Sequence, residues 1–278
     1  MRSLLIAALV VCIGFTGCGE RPARSTSRTT PSGSTTSQPK ASTTVITVAA
    51  ASDLKYVMDE LVEEFQRLNP RSEIKVTYGS SGNFFAQLSN EAPFDIFFSA
   101  DIEFPRKLIQ QGQAIPESEF QYAIGQLVVW VRKESPLDVE SQGLDVLLEP
   151  TVKKIAIANP KHAPYGRAAE ATLKTSGLYE KVSERLVLGE NVAQAAQFIE
   201  SEAADVGLIA HSLATAAPMK DKGRFVIVPA DLYPKLVQGG VILSWAADRK
   251  ATESFRGFMT GEHGRTVLKR NGFLLPGE

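Results

Sequence analysis

Four junctions in this chain combine residue types that could hold an anion. Ala49-Ala50-Ala51-Ser52-Asp53-Leu54, Tyr78-Gly79-Ser80-Ser81-Gly82, Asn159-Pro160-Lys161-His162-Ala163-Pro164-Tyr165-Gly166 and Gly189-Glu190-Asn191-Val192 each stand where a short apolar or β-branched run gives way to a helical pattern. The first backbone N–H groups of a helix have no intrahelical acceptor, and the helix dipole adds partial positive charge there, so an oxyanion can be held without lysine or arginine. Ser52 and Ser81 would add hydroxyl donors, and Gly79 and Gly82 allow close approach of the backbone. If each hydrogen bond to a charged ligand contributes about 1.5–3 kcal/mol, about six of them exceed the roughly 8–12 kcal/mol of micromolar to nanomolar binding, with a margin for ordering costs. Serine or asparagine before a helix is also an ordinary N-cap, so Ser52, Ser81 and Asn191 taken singly keep that reading. Their coincidence at four junctions points to a ligand. Asp53, beside Ser52, is expected to turn away and partner the first helical turn.

The elements that must position these residues alternate strand and helix, the pattern of an α/β fold with parallel strands. Strands are expected at Val45–Ala49, Ile74–Tyr78, Asp95–Ala100, Leu127–Val131, Lys154–Ala158, Val206–Ala210, Phe225–Val228 and Leu236–Ser244. Leu54, Val57, Met58, Leu61, Val62 and Phe65 fall at helical spacing, and further helices fit Gly166–Thr175 and Val192–Glu202. Ligands of such sheets bind beyond the carboxyl ends of the strands, which is where the four junctions lie. A break from Gln113 to Ile124, containing Pro116, marks a crossing into a second lobe. The expected organisation is an export signal at 1–18, a tether at 19–44, one lobe from 45–123 with 226–278, and a second lobe at 124–225.

The amino terminus has the order of an export signal: basic Arg2, the apolar run Leu4 to Val11, then Phe15-Thr16-Gly17-Cys18. Gly17-Cys18 resembles a bacterial lipobox with Phe15 in place of the usual leucine, which makes Cys18 the expected site of lipidation and the first mature residue. Cys12 would leave with the signal, so no internal disulfide and no cysteine chemistry is expected. From Glu20 to Thr44 the chain is Ser, Thr, Pro and Gln with hardly an apolar residue, too polar to offset the entropy of ordering. The 278 residues carry a net charge of −1, which argues against nucleic acid or an anionic membrane surface as partner.

The same junctions, together with Gln87-Leu88 and Ala92-Pro93-Phe94-Asp95-Ile96-Phe97-Phe98-Ser99-Ala100-Asp101, resemble the successive motifs of the periplasmic molybdate-binding protein family, in family order. The resemblance covers nearly all of the chain after the tether. It implies a two-lobed periplasmic-binding-protein fold of type II, each lobe a mixed sheet flanked by helices, joined by crossing hinge strands and closing over ligand. It implies hydroxyl contacts from Ser52 and Ser81 and backbone donors at Tyr165 and Val192. The position at which some members use a tyrosine hydroxyl falls on Ala210 here, so a water or a neighbouring backbone group would have to substitute. Asp95 and Asp101 are expected to hold turns, and Phe94, Phe97 and Phe98 to be core. The implied ligand is molybdate or tungstate with no cofactor, and the implied partners are the permease and ATPase of an ABC importer. The implied protein is an extracytoplasmic monomer held to the membrane only through its lipid.

Three rivals remain. Sulfate is also a tetrahedral dianion and meets the same donors. A secreted hydrolase would need a nucleophile elbow, but Gly79-Ser80-Ser81-Gly82-Asn83 lacks the closing glycine, and His162, His211 and His263 have no metal-ligand spacing. An adhesive surface lipoprotein would suit the tether but has no need of four donor-rich helix starts.

Overall fold

A computed structural model describes residues 43–277. The export signal, Cys18 and residues 19–42 of the tether lie outside the described residues. The chain begins with β1 (Thr44–Ala51), α1 (Lys55–Leu68), β2 (Ser72–Gly79), α2 (Ser81–Leu88), β3 (Ile96–Ser99), α3 (Glu103–Gln110) and β4 (Phe120–Gly125). It continues through β5 (Leu127–Arg132), a one-turn α4 (Val139–Gln142), β6 (Ile155–Ala158), α5 (Pro164–Thr175) and a one-turn α6 (Tyr179–Val182). Then come β7 (Leu186–Gly189), α7 (Val192–Glu200), β8 (Val206–Ala210), α8 (His211–Thr215) and β9 (Gly223–Ile227). The final elements are β10 (Leu236–Ile242), α9 (Arg249–Thr260) and α10 (Glu262–Arg270).

Two five-stranded sheets result, in the orders β2-β1-β3-β10-β4 and β7-β6-β8-β5-β9. Each is mixed in the same way. β1 is parallel to β2 and β3, whereas β10 runs antiparallel to β3 and β4. β6 is parallel to β7 and β8, whereas β5 runs antiparallel to β8 and β9. The central strands are apolar along their length because helices or loops cover both faces: Val48 to Ala51 and all of β8 are buried. In the first sheet's core, α9 and α10 contribute Phe255, Met259, Val267 and Leu268 to the cluster containing Ile46 and Val48. The second sheet centres on Val128, Trp130, Ile157 and Leu208.

The chain passes between sheets at Gln126, and returns between Ile227 and Leu236. The expected divides, after 123 and after 225, thus fall inside β4 and β9. β4 occupies the stretch that reads as a break; its pairing with β10 slips by one residue opposite Gln238/Gly239, which leaves Tyr122 of β4 as the extra residue of a bulge. β7 is four residues long and carries no alternation to mark it.

Asp95 fixes one end of the first sheet: it accepts from Thr47 N at 2.6 Å and Thr47 Oγ1 at 2.7 Å through one oxygen, and from Ala247 N at 2.8 Å through the other. Asp101 accepts from Glu103 N at 3.0 Å at the start of α3, and its second oxygen takes Arg167 of α5 at 2.6 Å. Phe97 and Phe98 are core. No helix among the described residues is long and apolar enough to cross a membrane.

Candidate oxyanion-binding site

Ser52 follows β1 and opens a single 3-10 turn, where it caps nothing. Its Oγ is 3.4 Å from the backbone N of Ala193, on α7 of the other lobe. Ser81 is the first residue of α2, and the cap of that helix is its neighbour Ser80, whose Oγ accepts from Asn83 N at 3.4 Å. Ser81 Oγ instead accepts from Ala100 N at 3.0 Å. The N-cap reading therefore applies to Ser80 and to Asn191, whose Oδ1 accepts from Gln194 N at 3.0 Å, and not to Ser52 or Ser81. A hydroxyl that accepts an N–H keeps its own proton free to donate.

Tyr165 is the second residue of α5, behind Pro164, and Val192 is the first residue of α7. Their N–H groups belong to first turns, where a helix offers no acceptor, and proline ahead of Tyr165 suits a first helical position. Ser52, Ser81, Tyr165 and Val192 are all buried. Together they line one small cavity, walled also by Ala51, Asp53, Gly79, Ser80, Ala100, Ala163, Pro164 and Asn191. Among the described residues no lysine, arginine or histidine lines it. Ala210 is not brought in. It is wholly buried, pairs with Leu127 in the second sheet and precedes α8, so its methyl offers neither donor nor access.

Contacts between the lobes surround the cavity. Gly82 N donates to His162 O at 2.9 Å, Ser80 Oγ lies 2.9 Å from His162 Nδ1, and Asn83 Nδ2 donates to Glu190 Oε1 at 3.1 Å. On another side the Asp101–Arg167 pair spans the lobes, and the Arg167 guanidinium lies 5.5 Å from the Phe104 ring centre.

Asp53 departs from its expected place. It is 1 % exposed, and Oδ2 accepts from the Gln238 side chain of β10 at 2.6 Å, with the backbone N–H groups of Asp53 and Leu54 in the first turn as lesser partners. Burial raises its carboxyl to about 6, against the lowering effect of hydrogen bonds led by Gln238 and Tyr165. The Gln238 amide also reaches Tyr165 Oη at 3.2 Å. Gly125, next to the crossing between sheets, has no room for a side chain: a Cβ there would lie 2.3 Å from Tyr165 Oη and 2.7 Å from the Gln238 amide nitrogen. Sequence reasoning missed Gln238, His162 and Arg167. Only the small residues Ser80-Ser81-Gly82 signalled that another backbone comes close. Among the described residues no group of three or more His, Cys, Asp or Glu could hold a metal ion.

Residues 46–274 match the family described as bacterial extracellular solute-binding protein. The chain is 35 % identical over 230 residues to the molybdate-binding protein ModA of Azotobacter vinelandii, covering 83 % of this chain and 90 % of that one. It is 34 % identical over 201 residues to ModA of Rhodobacter capsulatus, covering 72 % and 77 %. The solved periplasmic molybdate-binding protein of Azotobacter vinelandii superimposes with a TM-score of 0.78 at 36 % identity, over 83 % of this chain and 99 % of that one.

Proposed function

The chain belongs to the bacterial extracellular solute-binding protein family, and from that premise we propose that it captures molybdate between its lobes and delivers it to the permease and ATPase of an ABC importer. One observation carries the reading: hydroxyls from one lobe and first-turn N–H groups from the other meet in a single buried cavity that no cation lines. Such a cavity recognises a fully deprotonated tetrahedral oxyanion through its oxygens. Tungstate, of nearly the same size and charge, meets the same donors. Because the donors sit on both lobes, ligand favours the closed arrangement and an empty site releases it.

A hydrolase would have to use the Ser80–His162 contact. No carboxylate hydrogen-bonds to His162 to orient it as a base, among the described residues. The protein binds and releases its ligand unchanged.

The test is a thermal-shift panel on protein starting after the tether. Molybdate at a hundredfold excess over its dissociation constant stabilises by about 2.7 kcal/mol, an increase in Tm of roughly 5–10 °C for a chain of this size. Tungstate gives a similar increase and sulfate a smaller one. No shift with molybdate, or a larger one with sulfate, would sink the assignment.

We further propose that the protein is a monomer anchored outside the cytoplasmic membrane through lipid on Cys18, as Gly17-Cys18 and the polar stretch after it suggest. Cys18→Ser is expected to move the protein from the detergent phase to the aqueous phase and to end incorporation of labelled lipid. Unchanged incorporation would remove the anchor and leave the binding assignment standing.

A further inference from the structure

Behind Ser52, the cavity wall is a carboxylate without a counter-charge. Asp53 lines the cavity and is almost wholly buried. One of its oxygens is held by Gln238, while Oδ1 has no hydrogen-bond partner, and Gln238 Oε1 has none either. The groups that face Asp53 come from four elements: Gln238 on β10, Tyr165 on α5, Tyr122 on β4, and Ser212 on α8, which donates to the Asp53 carbonyl at 2.8 Å. None of them is a cation. Lys55, two residues on, has its ammonium over the Tyr56 and Tyr78 rings instead.

An ionised Asp53 is therefore poorly matched to this place, and worse matched once a dianion fills the cavity beside it. Like charges in a water-poor site repel strongly and drive the weaker acid to its neutral form. Protonated, the carboxyl changes role. Its oxygen gains an O–H, and a group that could only accept beside the cavity becomes one that can donate. The protonated form of a buried carboxyl also removes the cost of an unpaired buried charge. Burial already brings Asp53 to about 6, so most molecules still carry the charge at neutral pH before ligand arrives.

We propose that the site takes up one proton from solvent with each molybdate dianion it binds, and that Asp53 is the group that receives it. This rests on the molybdate reading above. A buffer acid supplies the proton, the Asp53 carboxylate becomes a carboxyl, and no bond within the oxyanion forms or breaks. The sign follows from mass action: binding that consumes a proton weakens as pH rises, over the window between the carboxyl's value without ligand and its higher value with ligand.

Titration calorimetry with molybdate, in two buffers of different ionisation enthalpy, reads the proton directly. At pH 7 the wild type should take up more than half a proton per ligand, and its Kd should rise with pH above about 6, by at most about tenfold per pH unit. Asp53→Asn keeps the shape and cannot ionise, so its enthalpy should not depend on the buffer and its Kd should be flat with pH. A wild-type enthalpy independent of buffer overturns the proposal even if the variant does not fold, and uptake retained in Asp53→Asn overturns the choice of residue. Failure of molybdate to bind at any pH would instead bring down the molybdate reading, and this inference with it.

Discussion

Gly82→Ala is expected to lose most of the affinity for molybdate while the protein without ligand melts no lower than the wild type. Gly82 lies in the first turn of α2, and alanine there improves helix propensity by about 0.5–1 kcal/mol. The obstacle lies across the lobes. A Cβ at Gly82 would stand 2.5 Å from the His162 carbonyl oxygen and 2.9 Å from His162 Cα, both backbone atoms of the segment leading into α5. Backbone does not yield as the end of a flexible side chain does, so the lobes must part. Parting them breaks the hydrogen bond from Gly82 N to His162 O and draws the Tyr165 donor away from Ser81. Overpacking of this kind costs about 1–3 kcal/mol, and here the cost falls on the closed arrangement alone. The apparent Kd should therefore rise by roughly 5- to 150-fold. Calorimetry with molybdate measures the loss, and a melt without ligand supplies the control. Wild-type affinity in Gly82→Ala would mean that the lobes do not meet at His162 when ligand is bound.

This contact also marks where the sequence stops being legible. Strands β5 and β8 can be read because they are short apolar runs buried on both faces, β1 because its β-branched start runs into the buried Val48 to Ala51, and their neighbours follow from the alternation with helices. β4 cannot, because Phe120 to Gly125 carries a bulge of its own at Tyr122 and pairs with a strand more than a hundred residues later in the chain. At the site, the helix starts are visible as local chemistry, but the division of labour between Ser80 and Ser81 is not. Adjacent serines look alike until the backbone decides which of them has extended dihedrals and caps, and here Ser80 does. Asp53 misleads for a related reason. An acid in a first helical turn ordinarily serves the dipole, whereas its actual partner, Gln238, stands 185 residues away on the strand that returns from the second lobe. Ser80 meets His162 across 82 residues in the same way. Contacts between lobes depend on how two separately patterned halves come together, and no local period encodes that.

The remaining large effects separate hydroxyl from backbone recognition. Ser81→Ala should weaken molybdate binding by about 1.5–3 kcal/mol, the range for a hydrogen bond to a charged group, or roughly 10- to 150-fold. It should also lower stability, because Ser81 Oγ is the acceptor for the buried Ala100 N–H at 3.0 Å, and an orphaned buried donor costs about 1–3 kcal/mol. Ser52→Ala should match it in affinity and cost less in stability, since the contact of Ser52 Oγ with Ala193 N is long, at 3.4 Å. Val192 is the contrasting case. Val192→Ala gives up about 1 kcal/mol of packing but keeps the N–H, so its affinity should stay near that of the wild type. Val192→Pro deletes the N–H at the first position of α7, where proline is tolerated. The residue before it, Asn191, already has the extended dihedrals φ −146° and ψ 175° that a following proline requires, and its cap to Gln194 N is untouched. Val192→Pro should therefore remain folded by circular dichroism and bind about as weakly as the serine variants. Calorimetry with molybdate on the four proteins gives the ranking. Wild-type affinity in both serine variants would place the oxyanion elsewhere, and equal affinity in Val192→Ala and Val192→Pro would remove the backbone of α7 from the site.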